Sequence, residues 1–576
     1  MRGRFVIYTI LLIFLFGAIV VRLFYWQIIR GKDLSQIARS QYQRSDLKSA
    51  PRGDILASDE SWLVTNKKVY TVFSEPEKIT KSLDEISEKL AEVFVKEMEL
   101  TEDDDSHMVL LDEVNRLKTV VNKQDAMWVP LQDKVSRESK ETIETFGISG
   151  IGFDPILIRS YPEASTAAHL VGFVGKNDTG ENIGYFGLEG YYDLILTGKP
   201  GVLSEERDAA GRSLAIGDFS ESLAISGADL VTHVDKYIQL TIEEKLNDAM
   251  EKYGAKEGSV TVLNPQTGGI VAMAAVPAYD PEKYDQYGDK YFRNPVVSDS
   301  FEPGSIFKVI VMASALDAKV VEPDTECNIC TGPYGIDKYS ISTWDGNYFP
   351  NSTMTDVIKH SDNVGMVFVA NKLGKEKMYD YLDGFGLGKL TEIDLQGEFA
   401  PKLREKDDWS NVDLAITSFG QGVSVTPIQM LSAVSVLAND GLYVRPKVVK
   451  TIRGNGWEQE IGFGASRRVI SKKAADEITL MMVEAARSGE SKWTHREGFG
   501  VAGKTGTAQI PIAGKYDEEK TIASFVGFAP HDDPKFVMLV TLREPESSPW
   551  ASETAAPLWY SIANDLFAHY RMQPKS

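Results

Sequence analysis

The chain carries only two cysteines in 576 residues, Cys327 and Cys330. Two sulfurs three positions apart exclude a disulfide framework and offer half of the four ligands a structural zinc needs. A local disulfide and two free thiols both stay open. Positive charge is also short: 62 Lys and Arg stand against 83 Asp and Glu, a net charge of -21. That balance argues against nucleic acid as a partner, because phosphate binding needs a basic surface. The seven histidines, scattered from His107 to His569, suggest no histidine-based triad. Internal repeats and long low-complexity segments are absent. With 43% hydrophobic and 25% charged residues, the chain is globular, and its length predicts two to four domains.

Residues 5–21 hold no charge, and Leu23, Phe24, Tyr25 and Trp26 prolong the apolar run past Arg22. This is close to the span of a bilayer. No small-x-small cleavage site follows, so residues 5–26 read as an uncleaved anchor. Arg2 and Arg4 favour a cytoplasmic N-terminus, while Arg22, Arg30 and Lys32 weaken that vote.

A polar stalk is expected over 28–44, then a break at Ala50-Pro51-Arg52-Gly53-Asp54-Ile55-Leu56 and strand-like sequence over 69–73. Ile79, Leu83, Ile86, Leu90 and Val93 recur at three and four, the period of an amphipathic helix. Further helices are expected near 109–121 and 137–146, with a solvated acidic run over 102–105. From residue 227 the pattern changes. Strands are expected over 228–235, 259–263 and 270–275, with a helix over 237–253. Helical segments are expected to fill 309–484, broken by loops rich in Gly, Asp and Pro. Three late strands (501–510, 522–528, 535–542) and a helix over 554–570 close the chain. Early strands, a helical middle and late antiparallel strands predict an α+β domain whose sheet joins both ends.

Chemistry concentrates in three short stretches. Pro303-Gly304-Ser305-Ile306-Phe307-Lys308 opens an apolar helix expected over 305–318. A hydroxyl and an amine three residues apart share a face, among the free N–H groups of a helix start. A lysine drawn into an apolar site loses its proton readily and can activate the serine. Alone, S-x-x-K is a serine cap beside a snorkelling lysine. Ser361-Asp362-Asn363 sits near a helix junction, and Lys504-Thr505-Gly506-Thr507 inside a strand. Gly506 removes a side chain where a ligand backbone would approach. Lys504 and Thr507 would face opposite sides of an ideal strand, so a bend at the glycine or backbone contacts are expected. S-x-x-K, S-x-N and K-T-G in this order form the signature of penicillin-binding proteins and their relatives.

A rival pattern overlaps the third motif. Gly498 to Thr505 matches G-x-x-x-x-G-K-[ST], the phosphate-binding loop. That loop needs a buried strand before it and a helix after it. The preceding residues 490–497 are polar, and Gly506, Pro511 and Gly514 forbid the helix.

The chain resembles class B penicillin-binding proteins, the membrane-anchored peptidoglycan D,D-transpeptidases. Arg22-Leu23, Gln27-Ile28, Arg52-Gly53-Asp54-Ile55 and Gly187-Leu188-Glu189 are similar to N-terminal landmarks of that family. Phe419-Gly420-Gln421-Gly422 with Thr426-Pro427-Ile428-Gln429 is similar to its septal and sporulation branch. Three positions depart: Ile306 where threonine is frequent, Glu60-Ser61 for Asn-Gly, and Pro549-Trp550 in a loop often rich in glycine. The resemblance implies an N-terminal transmembrane helix (1–30), a mixed α/β pedestal (31–226) and a transpeptidase domain (227–576) with a central antiparallel sheet flanked by helices.

It further implies Ser305 as nucleophile and Lys308 as its base. Ser361 would pass the proton to the leaving D-alanine, and Asn363 would hold Lys308 and a peptide amide. Lys504, Thr505, Gly506 and Thr507 would bind the substrate carboxylate, with the N–H groups of Ser305 and Thr507 as the oxyanion hole. No cofactor or metal is implied. The implied ligands are stem peptides, glycan strands and β-lactams. The implied setting is a single-pass cytoplasmic-membrane protein, its bulk extracytoplasmic, working with a glycan polymerase and division proteins. The alternatives are a D,D-carboxypeptidase, a β-lactamase, and a β-lactam sensor or division scaffold with little activity.

Overall fold

A computed structural model describes residues 2–34, 43–48, 50–98, 105–121, 123, 126–206, 219–464, 466–512 and 515–574. Residues 35–42 of the expected stalk and 102–104 of the acidic run lie outside these. By compactness the chain divides into 1–52 with 197–227, and 53–196 with 228–576.

In the first unit, helix α1 (Arg2–Phe24) runs into a short π-helix, Tyr25–Ile29. The 28 residues Arg2–Ile29 are long and apolar enough to cross a membrane, with a mean hydropathy of 2.6. This agrees with the expected anchor and with a single-pass membrane protein. The strands Gln43–Lys48, Gly201–Glu206 and Phe219–Ser222 form a separate antiparallel sheet with the middle one central.

The second unit begins with strands β1 (Ile55–Leu56) and β2 (Trp62–Ser74), helices α2 (Leu83–Glu97) and α3 (Ser106–Val121), strand β3 (Val129–Val135), helix α4 (Arg137–Thr145) and strand β4 (Ile151–Ser160). From Leu83 on, the apolar period of α2 does what it predicts, while Ile79 lies before the helix in extended backbone. Ile86, Leu90 and Val93 are buried with Leu117 and Val121 of α3 beneath β2 and β3. Acidic residues in the first turn of α2 and Lys96 in its last complement the helix dipole.

After these come β5 (Asp229–Thr232), α5 (Lys236–Tyr253), and the hairpin β6 (Glu257–Leu263) and β7 (Ile270–Val276). The helical middle contains α6 (Lys308–Asp317), α7 (Met354–Lys359), α8 (Asn363–Leu373) and α9 (Pro427–Leu437). Its breaks are not all the expected loops but include strands. Strands β8 (Val449–Gly454) and β9 (Trp457–Glu460) interrupt it and extend the first sheet, in the order β9-β8-β5-β1-β2-β3 with β4 also on β2. Val449, Thr451 and Ile452 are the buried residues of β8, too short a run to stand out beside neighbouring helices.

Helix α10 (Lys472–Ser488), strands β10 (Ala502–Ile512), β11 (Lys515–Ala529) and β12 (Phe536–Arg543) and helix α11 (Ala555–His569) complete the fold. The central sheet runs β7-β6-β12-β11-β10, antiparallel throughout. Because β6 pairs with β12, the sheet joins both ends of the domain, as the pattern predicts. One face of the sheet packs on α5 and α11, where Trp559 is fully buried and donates Nε1–H to the Met538 carbonyl at 3.0 Å. The other packs on the helical layer around α6, buried from Lys308 to Leu316. β10 is therefore the edge strand, with alternate backbone groups left free of the ladder. Cys327 and Cys330, both fully buried, are joined as a disulfide.

Candidate active site

Ser305 does not open an α-helix as expected. It sits in a 3-10 turn, Gly304–Phe307, that leads into α6 at Lys308. In a 3-10 turn residues i and i+3 eclipse, so Ser305 and Lys308 still share a side. Two contacts clamp this turn from the Phe419-Gly420-Gln421-Gly422 stretch. The Gly304 N–H donates to the Gly420 carbonyl at 3.0 Å, and the Gly422 N–H to Glu302 Oε1 at 3.1 Å. A Cβ on Gly420, whose φ is +81°, would lie 2.1 Å from the Gly304 carbonyl oxygen, so only glycine fits there. Tyr516 donates its hydroxyl to the other oxygen of Glu302 at 3.0 Å.

The Lys308 amine is wholly buried. It donates to the Ser361 carbonyl at 2.6 Å and to Asn363 Oδ1 at 2.8 Å, and lies 3.2 Å from Ser361 Oγ. Burial first, and the neighbouring Lys504 ammonium second, push its pKa from 10.5 down to about 7. A neutral amine can keep both short donations and still offer a lone pair to a hydroxyl proton.

The second motif spans the junction of α7 and α8. Ser361 takes a left-handed φ of +56°, and Asp362 caps α8 by accepting from Val364 and Gly365 N–H. Capping is what the central residue of S-x-N does here. It turns Ser361 and Asn363 to the same amine. Asn363 Nδ2 donates to the Ser342 carbonyl at 3.0 Å, which fixes its oxygen toward Lys308.

The third motif lies on β10, and no bend occurs at Gly506. Register with β11 is unbroken from Ala502 to Gln509 and shifts only before Pro511. Thr505 and Thr507, two apart, line the cleft, while Lys504 is buried and reaches the Thr505 carbonyl and hydroxyl oxygens, each at 3.2 Å. Burial lowers the Lys504 pKa as well. The close approach at Gly506 is made by the chain itself. A Cβ there would lie 2.9 Å from Ile306 Cγ2 and 3.1 Å from Ile306 N, so the glycine lets the nucleophile turn seat on the strand. The same strand setting disposes of the phosphate-loop pattern: Lys504 and Thr505 are laddered to Val526 and Phe525, and no helix follows.

These pieces surround one cleft, two adjoining pockets of about 280 and 210 Å³ that share Ser305, Trp344, Thr507 and Trp550. The arrangement offers a half-buried hydroxyl, an amine poised near neutrality and an edge strand along which an extended peptide can lie. Residues 258–567 match the family model for the penicillin binding protein transpeptidase domain, and residues 47–232 that for the penicillin-binding protein dimerisation domain. The chain belongs to the penicillin-binding protein transpeptidase family.

Relatives support the assignment along the whole length. Stage V sporulation protein D of Bacillus subtilis is 32% identical over 580 residues, covering 98% of this chain and 86% of that one. The peptidoglycan D,D-transpeptidase FtsI of Buchnera aphidicola is 28% identical over 570 residues, covering 98% and 94%. In fold, the chain is similar to Penicillin Binding Protein 2X from Streptococcus thermophilus (TM-score 0.74, 23% identity, 92% and 80% covered). It is also similar to Penicillin binding protein 3 from Mycobacterium tuberculosis (TM-score 0.69, 24% identity, 92% and 98% covered). The chain is thus a penicillin-binding transpeptidase with a dimerisation-type pedestal, of the septal and sporulation branch.

The departures from the family pattern now have places. Ile306 is fully buried against Gly506. Glu60 holds a left-handed φ of +64°, the conformation asparagine and glycine favour, and pairs with Arg453 at 3.0 Å. Trp550 stands over the cleft with Trp344, ring centroids 5.3 Å apart. Sequence reasoning missed Trp344 and Glu490 as cleft residues. Neither sits in a motif. Glu490 is one of a run of polar residues after α10, and only the fold brings it to Thr505.

Proposed function

We propose that Ser305, Lys308, Ser361, Asn363 and Lys504 carry out acyl transfer on the D-alanyl-D-alanine end of a stem peptide, and that the product is a cross-link between neighbouring strands. The observation that carries this is the buried Lys308 amine, shared by Ser361 and Asn363 one turn after Ser305. Ser305 Oγ gives its proton to Lys308 and bonds to the carbonyl carbon between the two D-alanines. Backbone N–H groups of Ser305 and of Thr507 on the edge strand receive the oxyanion. The C–N bond then breaks, and the proton passes from Lys308 through Ser361 to the departing D-alanine. An amine of a second stem peptide attacks the acyl-enzyme, its proton returns to Ser305, and a new amide joins the two peptides. Asn363 positions Lys308, and the Lys504-Thr505-Gly506-Thr507 stretch of β10 forms the seat of the substrate carboxylate. β-Lactams are trapped on Ser305 by the same attack.

The setting we propose is the outer face of the cytoplasmic membrane, with residues 1–30 as cytoplasmic tip and anchor, 31–226 as pedestal and 227–576 as the catalytic domain. Glycan strands would come from a membrane polymerase acting with division proteins. The test supplies the full-length protein in detergent with glycan strands bearing pentapeptide stems. Released D-alanine and cross-linked peptide dimers, both lost in Ser305→Ala, are expected. D-alanine without dimers would mark a carboxypeptidase. Neither product, with a stable penicillin adduct, would mark a sensor or scaffold.

A further inference from the structure

We propose that Glu490 is a positioning residue of this site: it holds the Thr505 proton, so that capture of a substrate carboxylate falls to Thr507 and Lys504, and its charge opposes the two buried lysine ammonium groups. The inference rests on Ser305 as nucleophile and Lys308 as base. Glu490 follows the end of α10, and its Oε2 accepts the Thr505 hydroxyl at 2.6 Å. The same hydroxyl oxygen accepts from Lys504 Nζ at 3.2 Å. A threonine has one proton to give, and this one is taken, so Thr505 has nothing to donate to an arriving carboxylate. Thr507 is in the opposite state. Its oxygen accepts the Ala551 N–H at 3.1 Å, which leaves its proton free for the cleft that both threonines line.

The charged groups facing this cluster come from each wall: Lys308 from α6, Asp362 from the start of α8, Lys504 from β10, Glu490 itself, and Glu553 from the loop before α11. Glu490 and Asp362 draw the Lys308 pKa upward, against burial and Lys504. Neutralising Glu490 therefore leaves Lys308 unprotonated at lower pH, and removes a negative charge from the pocket an anionic substrate must enter.

The experiment follows acylation of the full-length protein by benzylpenicillin, by intact mass, from pH 5.5 to 8.5. In Glu490→Gln the acid limb is expected to move to lower pH, raising the rate at pH 6 about threefold relative to its own plateau, the result of a shift of about half a pH unit. Glu490→Asp should keep the wild-type limb. Thr507→Val should slow acylation about tenfold or more, and Thr505→Val much less. An acid limb unmoved or raised in Glu490→Gln overturns the electrostatic role. Equal losses in the two valine variants overturn the division of carboxylate capture. Should Glu490→Gln not fold, Glu490→Asn supplies the neutral variant. A wild-type protein that is never acylated, or an acylated Ser305→Ala, would instead refute the nucleophile assignment beneath it.

Discussion

Replacing Lys308 by arginine removes a base while keeping a cation of similar reach. At the ordinary lysine pKa of 10.5 only about one amine in three thousand is neutral at pH 7, whereas at about 7 half are. Burial in α6 and the Lys504 charge thus supply about three orders of magnitude in available base. The sign follows from which form works. Below pH 7 the ammonium dominates and acylation should fall towards tenfold per pH unit; above it the rate should level off. Arginine stays charged throughout, so Lys308→Arg should lose about 10²–10⁴ in rate, the usual worth of a positioned base, and lose the limb near pH 7. The assay is the second-order rate of benzylpenicillin acylation from pH 5.5 to 9. A wild-type rate flat across that range would refute the assignment of Lys308 as base. So would a Lys308→Arg rate within tenfold of wild type.

Gly506→Ala forces a Cβ against Ser524 Oγ and the Ile306 backbone, and should lower stability by about 1–3 kcal/mol and acylation about tenfold, checked by thermal melting and the same rate assay. Arg159 and Glu189 form a buried pair at 2.6 Å, so Glu189→Ala, which leaves the buried guanidinium without its carboxylate, should cost about 3–5 kcal/mol in a urea titration. Trp550→Gly should raise the acylation rate of bulky cephalosporins more than that of benzylpenicillin, because it opens the wall shared by both halves of the cleft. Equal changes for both drugs would contradict that role.

Much of this was legible because the signals are local. The apolar run of α1 reflects the span of a bilayer, the three-four spacing of α2 burial of one face, and the apolar run of β12 a strand covered on both sides; the structure follows these three within a few residues. The three motifs were legible because each pairs unusual residue types at a fixed spacing. Gly187-Leu188-Glu189 was legible only as a family landmark; its physical cause is the buried Arg159 partner thirty residues upstream. What stayed hidden depends on long-range contact. Nothing near Val449 tells that β8 will ladder to β5, more than two hundred residues away. Nothing near Glu490 tells that it will meet a threonine hydroxyl. Gly506 was recognised as a site of close approach, but the approaching backbone is Ile306 of the chain itself, which strand pattern alone does not reveal.

The most direct test of the central claim is an intact-mass time course with excess benzylpenicillin, followed by peptide mapping of the adduct. A long-lived adduct of one equivalent, placed on Ser305 and absent from Ser305→Ala, is the predicted result. An adduct formed by Ser305→Ala at the wild-type rate, or none on folded wild-type protein, would contradict it.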